Sequence, residues 1–237
     1  MKGKFEDWII FESDELLAIN KPPHISSLDE RNGEEPGIIR LARKYHPDIQ
    51  LCHRIDKETS GVLLMAKNPA AYREISMAFE GRKVEKVYHA LVEGAVNFNE
   101  VVVDMPVYAG KSGKVRIDRG QGKEAVTLFQ SLEIFNHYTL MECMPVTGRM
   151  HQIRIHLASQ NATIAGDTLY GGRPPLLSRL KRKFKAGKDE EEKPMIQRFA
   201  LHAYSLFLET ENYLVDVTAP YPKDFEVLLR LVKKYDS

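Results

Sequence analysis

Residues 51–67, LCHRIDKETSGVLLMAK, concentrate the side chains best suited to chemistry. His53, Arg54, Asp56, Lys57, Glu58, Thr59 and Ser60 crowd together, and Gly61 then opens the apolar run Val62-Leu63-Leu64-Met65-Ala66. Thr, Ser and Gly in succession supply turn chemistry. A short apolar run bounded by turn signals reads as a strand covered on both faces. Asp56 is therefore expected on a loop held by a rigid scaffold, where catalytic groups collect. The plain alternative is that an Asp ahead of Thr-Ser-Gly only fixes the turn through its own side chain.

A second dense stretch is VTGRMHQIRIHLA, residues 146–158. The spacing predicts a helix beginning near Arg149, with Met150, Ile153 and Leu157 on its buried face and Arg154 at the border of that face. An inward guanidinium there needs a carboxylate partner, and Asp56 is a candidate. Breaking such a pair once buried costs about 3–5 kcal/mol. Otherwise the Arg154 stem lies along the surface and its head reaches water. His151 and His156 do not share a helical face at their spacing, so a zinc-binding helix is not expected. The GKS at 110–112 lacks the earlier glycine of a phosphate loop, since Met105 occupies that position. No glycine-rich dinucleotide fingerprint follows a strand. Any chemistry is thus expected to use side chains alone, with no cofactor and no metal.

Arg173, Arg179, Lys181, Arg182, Lys183, Lys185 and Lys188 occur with no acidic residue before Asp189. Such a cluster is the local footprint of a phosphate backbone. Asp189-Glu190-Glu191-Glu192 follow at once, so a solvated loop pairing with itself is the competing reading. The loop at 111–123, with Lys111, Lys114, Arg116, Arg119 and Lys123 against Asp118, is a second candidate contact.

The elements that must position these groups follow from patterning. One or two short strands are expected over 8–20 before the Lys21-Pro22-Pro23 break, and a short helix from Pro36, as its first helical residue, to Tyr45. A buried strand over 61–67 leads to a helix capped by Asn68 and Pro69, with Tyr72, Ile75 and Phe79 inward and Gly81 at its end. Strands are expected at 84–93, 101–107, 124–134, 138–144, 199–209 and 213–218, with a closing helix at 223–234. Strands joined by loops, with few helices between them, argue for α+β with a mixed, largely antiparallel sheet flanked by helices and loops. With 237 residues, 43% hydrophobic content and a net charge of +1, this is an ordinary globular composition whose polyanion contacts must come from local clusters. Cys52 and Cys143 have no metal-type spacing and fit buried thiols in a reducing compartment. The N-terminus has acidic residues where a secretion signal needs apolar ones, so a cytoplasmic protein is expected.

Together, HRIDKETSGVLLMAK and TGRMHQIRIHLA resemble the RluA-type family of RNA pseudouridine synthases. The agreement extends to INKPP at 19–23, VEKVYHALVEG at 84–94, AGDTLYGG at 165–172, LHAYSL at 201–206 and APYPKDF at 219–225. The resemblance implies the pseudouridine synthase fold, with a central cleft. It also implies an isomerase that converts uridine to pseudouridine in structured ribosomal or transfer RNA without cofactor or metal. It makes Asp56 the essential carboxylate, Tyr88 the ring that stacks on the target base and Arg154 the arginine that pairs with the aspartate. Arg54 would fill the gap left by a flipped nucleotide, and Leu201 would form part of an apolar floor. Ile55, Met150 and HISSLDERNG after Pro23 depart from the family's usual residues and bear on substrate choice. The expected organisation is a single catalytic domain over 1–237, divisible into two subdomains, with no separate N-terminal RNA-binding domain. It is expected to act as a monomer on structured RNA, with neither DNA nor membrane as partner. A catalytically silent RNA-binding protein of the same fold and a hydrolase using Asp56 and Glu58 are the alternatives. New pseudouridine, bound but unmodified RNA, or free uracil would distinguish the three.

Overall fold

The computed structural model describes residues 3–30, 35–110, 114–181, 184 and 191–237. In chain order the regular elements are β1 (Ile9–Glu12), β2 (Leu16–Lys21), α1 (Ile38–Tyr45), β3 (Gln50–Leu51), β4 (Ser60–Ala66), α2 (Pro69–Glu80), β5 (Val84–Glu93), β6 (Val101–Asp104), β7 (Val107–Ala109), β8 (Val115–Ile117), β9 (Val126–Ile134), β10 (Tyr138–Pro145), α3 (Gln152–Ser159), β11 (Leu201–Glu209), β12 (Leu214–Thr218) and α4 (Lys223–Tyr235). The class is α+β. Two compact units share the chain: Met1–Tyr88 with His202–Tyr221, and His89–Leu201 with Pro222–Ser237.

In the first unit β4 is the organising strand. It pairs antiparallel with β2 and β3 and parallel with β11, which in turn pairs antiparallel with β12. Every residue of β4 is buried, as its unbroken apolar run requires. Side chains alternate across a strand, and the two faces enter different cores. Leu63 and Met65 join Leu17, Ile19, Ile38 and Ala42 beneath α1, while Val62, Leu64 and Ala66 join Leu16, Ala18, Ile75 and Val84 beneath α2. Gly61 is at φ 111, and a Cβ built there would lie 2.0 Å from the Ala203 carbonyl oxygen. Only a glycine admits β11 at that distance.

In the second unit β9 pairs antiparallel with β10 on one side and with β6 on the other. A small ribbon of β7 and β8 stands apart from them. Its Val107, Val115 and Ile117 pack with Ala125 and with Ile155 of α3.

Several boundaries differ from the sequence expectations, and the strand expected over 101–107 is split into β6 and β7, which lie in different sheets. Gly37 caps α1, so Pro36 precedes the helix instead of opening it. Part of the expected loop at 111–123 forms β8, which pairs with β7; residues 111–113 lie outside the described residues, and so do Lys111 and Ser112 of the GKS triplet. The helix expected from Arg149 begins at Gln152, and Met150 is 43% exposed, not buried. The cause is the Gln152 side chain, whose Oε1 accepts from the Arg149 N–H and the Thr147 hydroxyl. Those bonds hold the preceding residues in a turn, and His151 takes a left-handed φ of 54° that a helix excludes. Residues Gln152 to Leu157 are all buried, so α3 has no polar stripe from which its inner face could be read.

Candidate active site

Asp56 lies half-buried in the loop between β3 and β4. The backbone on both sides of it is tied down. The Ser27 hydroxyl donates to the Ile55 carbonyl at 2.8 Å and accepts from the Ile55 N–H at 3.3 Å. The Thr59 N–H donates to the Asp56 carbonyl at 3.1 Å, closing the turn. Lys21, fully buried at the end of β2, donates through Nζ to the carbonyls of Pro22, Ile25 and Lys57 at 2.9, 2.9 and 3.0 Å. Prolines remove backbone donors from this stretch, and the Lys21 ammonium supplies three in their place. At the surface, Lys57 pairs with Glu30 at 2.9 Å and His24 with Glu58 at 2.6 Å. His24, Ile25, Ser27 and Glu30, from the stretch after Pro23, thus share in holding the Asp56 turn.

The loop runs alongside β5. Cys52 packs on the cluster that contains Val84, His53 feels the charge of Lys86, and Tyr88 feels the charge of Asp56. Val84, Lys86 and Tyr88 alternate along one face of the strand. Burial, with the Asp56 carboxylate nearby, raises the Tyr88 phenol above its ordinary value and keeps it protonated. His53 stacks on Phe79 with ring centroids 4.8 Å apart, and its Nε2 accepts the Leu64 N–H at 3.0 Å. The acceptor role puts the ring proton on Nδ1. Burial first, then Lys86, lowers the His53 pKa to about 3, so the ring is neutral. Burial alone lowers Lys86 to about 8 and raises Cys52 to about 12.

Arg154 belongs to the second unit. Its side chain is 7% exposed and forks onto Asp167, Nε to Oδ2 at 2.7 Å and Nη2 to Oδ1 at 2.8 Å. Its guanidinium also lies over the rings of Phe199 and Tyr170, at 4.2 and 5.0 Å from their centroids. The inward arginine has a carboxylate waiting, and Asp167 fills that role in this unit. Nearby, His151 Nδ1 meets the Tyr170 hydroxyl at 2.8 Å. His156 meets the Thr127 hydroxyl and donates to the Met105 carbonyl at 2.9 Å, with its pKa lowered by burial.

The remaining expected residues are distributed as follows. Arg54 is exposed in the Asp56 loop of the first unit. Leu201, 4% exposed, opens β11, and its carbonyl accepts from Arg198 at 3.1 Å. Arg173 is exposed and forks onto Glu93. Arg179 is exposed in a short turn, and Lys181 sets its Nζ 5.6 Å from the Tyr235 ring centroid. Arg182, Lys183, Lys185 and Lys188 lie outside the described residues. Sequence reasoning missed Lys21, Ser27 and His53 around the Asp56 turn and, in the second unit, Asp167 as the partner of Arg154. The available signals were a lysine before two prolines and an aspartate inside the glycine-rich AGDTLYGG.

Comparison with known proteins gives the class of protein that this arrangement belongs to. Residues 15–159 match the family model described as RNA pseudouridylate synthase. The chain belongs to that family, in its RluA-type branch. It is 31% identical over 234 residues to the dual-specificity RNA pseudouridine synthase RluA of Vibrio parahaemolyticus, an alignment covering 93% of this chain and 86% of that one. It is 36% identical over 174 residues to the ribosomal large subunit pseudouridine synthase C of Vibrio vulnificus, covering 72% of this chain and 55% of the relative's length. The chain thus spans little more than half of such relatives. Among solved structures, human RNA pseudouridylate synthase domain containing 4 superposes with a TM-score of 0.73 at 25% identity, covering 97% of this chain and 94% of that one.

Proposed function

We propose that this chain isomerises uridine to pseudouridine in structured ribosomal or transfer RNA, with Asp56 as the essential carboxylate. The observation that carries the reading is the pairing, within one unit, of a carboxylate on a clamped turn with a buried phenol close enough to feel its charge. In the reaction the bond from the ring nitrogen N1 to C1′ breaks and a bond from ring carbon C5 to C1′ forms. The proton leaves C5 and N1 ends protonated, so no co-reactant is consumed. Asp56 acts at the sugar or on the ring, and its fixed backbone presents the carboxylate in one orientation without reorganisation during reaction. Tyr88, kept as a neutral phenol, offers its face to the detached base. A paired uridine leaves its stack at a cost of a few kcal/mol, and stacking on Tyr88 returns about 1–3 kcal/mol. Arg154 serves as the arginine of the helix motif, Arg54 as the residue entering the vacated stack and Leu201 as apolar floor. Arg173, Arg179, Lys181, Arg182 and Lys183 contact the RNA backbone. We further propose that it works as a monomer in the cytoplasm.

The test is to incubate the protein with RNA from cells lacking it and map pseudouridine. New pseudouridine at defined positions, lost in Asp56→Asn while RNA is still bound, supports the assignment. Undiminished turnover by Asp56→Asn removes Asp56 from the reaction, and bound but unmodified RNA with the intact protein makes it an RNA-binding protein.

A further inference from the structure

Lys86 is a half-buried cation to which the described residues of the first unit supply no counter-charge. Desolvation is the sole influence on its ammonium group, with neither a carboxylate nor a hydrogen-bond acceptor among the described residues offsetting it. Lysines in such surroundings ordinarily snorkel to water or pair. Lys86 does neither fully. Its strand face is shared with Val84, which is 4% exposed and sits in the core beneath α2, and with Tyr88. Of the titratable groups on the Asp56 loop, His53 feels the charge of Lys86 and is neutral, while the Asp56 carboxylate acts on Tyr88, two residues along the strand and a protonated phenol, with no effect resolved on Lys86. A desolvated ammonium on which no carboxylate acts is therefore held beside the ring on which the target base is read to stack.

We propose that Lys86 is a phosphate-binding residue of the site, taking a backbone phosphate of the target nucleotide or of its immediate neighbour. Residues two apart on a strand are about 6.5 Å apart along its axis, which is of the order of the separation between a nucleotide's base and its own phosphate. A base on Tyr88 therefore brings a phosphate within reach of the Lys86 side chain. The phosphate supplies the counter-charge that the described neighbours withhold. The proposal rests on the reading of Tyr88 as the base platform.

The experiment uses the full chain carrying Asp56→Asn, so that the RNA is bound without turnover, and a fluorescent single-stranded oligouridine RNA as the probe. Binding is titrated against salt and against pH for this protein and for the same protein with Lys86→Gln or Lys86→Arg. Each phosphate contact to a single strand contributes about 0.7 to the slope of log K against log salt. Lys86→Gln should lower that slope by about that amount, and Lys86→Arg should restore it. With its pKa near 8, the charged fraction of Lys86 falls about tenfold from pH 7 to pH 9. The parent should lose affinity over that interval by several-fold, up to that limit, and Lys86→Arg should not. An unchanged salt slope in Lys86→Gln, or equal pH profiles for parent and Lys86→Arg, overturns the proposal. Should Lys86→Gln fail to fold, the comparison of Lys86→Arg with the parent decides alone. Pseudouridine mapping with the unaltered protein reads the catalytic assignment separately, so failure of one does not mimic failure of the other.

Discussion

Replacing Asp167 by Asn removes one charge and little else. The Asp167 backbone bonds stay available: its N–H donates to the Ile164 carbonyl, and its carbonyl accepts from Tyr170 and Gly172. What changes is the fork at 2.7 and 2.8 Å between two side chains that are 7% and 2% exposed. Asparagine keeps one acceptor oxygen but turns an NH2 group toward the guanidinium, so a donor faces a donor. Breaking a buried pair by removing one partner costs about 3–5 kcal/mol, because the remaining charge is left in a poor medium. The Phe199 and Tyr170 faces hold the guanidinium in both proteins, so they lessen the absolute cost of burying Arg154 without altering the difference. Urea unfolding followed by circular dichroism should show a loss of about 3–5 kcal/mol. Adding Arg154→Met to Asp167→Asn should recover part of it, since the guanidinium that lost its Asp167 carboxylate is then gone. A loss below about 1 kcal/mol for the single variant, or no recovery in the double, would refute the view that this pair anchors Arg154.

Three further outcomes are expected. His53 has a folded pKa near 3, far below its unfolded value, so the neutral ring stabilises the fold fully above pH 6.5 and that contribution drains away as the pH falls from 6.5 toward 3. The slope it adds is at most about 1.4 kcal/mol per pH unit; His53→Gln, which keeps an acceptor for Leu64, should flatten stability between pH 6.5 and 5, and parallel curves would sink the assignment. Gly61→Ala places a Cβ 2.0 Å from the Ala203 oxygen at a left-handed φ, and should cost more than about 4 kcal/mol, read as insoluble or unfolded protein; a well-folded alanine variant would contradict the β4 to β11 register. Replacing Lys181, Arg182 and Lys183 with alanine should lower the salt slope of RNA binding by about 2 to 3; an unchanged slope would return that segment to a solvated loop.

Where the sequence carried its own boundary signals, the fold was legible. β4 showed as an apolar run after Thr-Ser-Gly, β5 over 84–93 as a strand-rich stretch, and α2 as a helix with Asn68 accepting from the Ala71 N–H at its start. The start of α3 was not legible, because its turn depends on a Gln152 side chain reaching back and across to Val126 and Thr127. The same limit applies to the site. Asp56 and Arg54 stood out through clustering, but Tyr88 has no local signal beyond its place in a strand and came from family resemblance alone. Asp167 looks like any turn aspartate until the chain folds Arg154 against it. Lys21, before two prolines, reads as a surface lysine and is fully buried. Partners far apart in the chain leave no periodicity, so pairing is the part of a site that one sequence does not disclose.

The Asp56 loop is held by bonds that its own carboxylate does not make. Ser27 holds Ile55 by both its N–H and its carbonyl, Thr59 holds the Asp56 carbonyl, Lys21 holds the Lys57 carbonyl, and His53 reaches Leu64 with its ring. A turn that needed an aspartate for its geometry would use the side-chain oxygens to cap neighbouring N–H groups. Asp118 does so in the loop after β8, accepting from Gly120 and Gln121 at 2.9 Å. The Asp56 backbone has clamps of another kind. At Asp118 the carboxylate holds the turn and is drawn below its usual pKa by those donors. At Asp56 the turn is held by the Ser27, Thr59 and Lys21 bonds to its backbone. Those backbone bonds are why Asp56→Asn is expected to leave the loop in place.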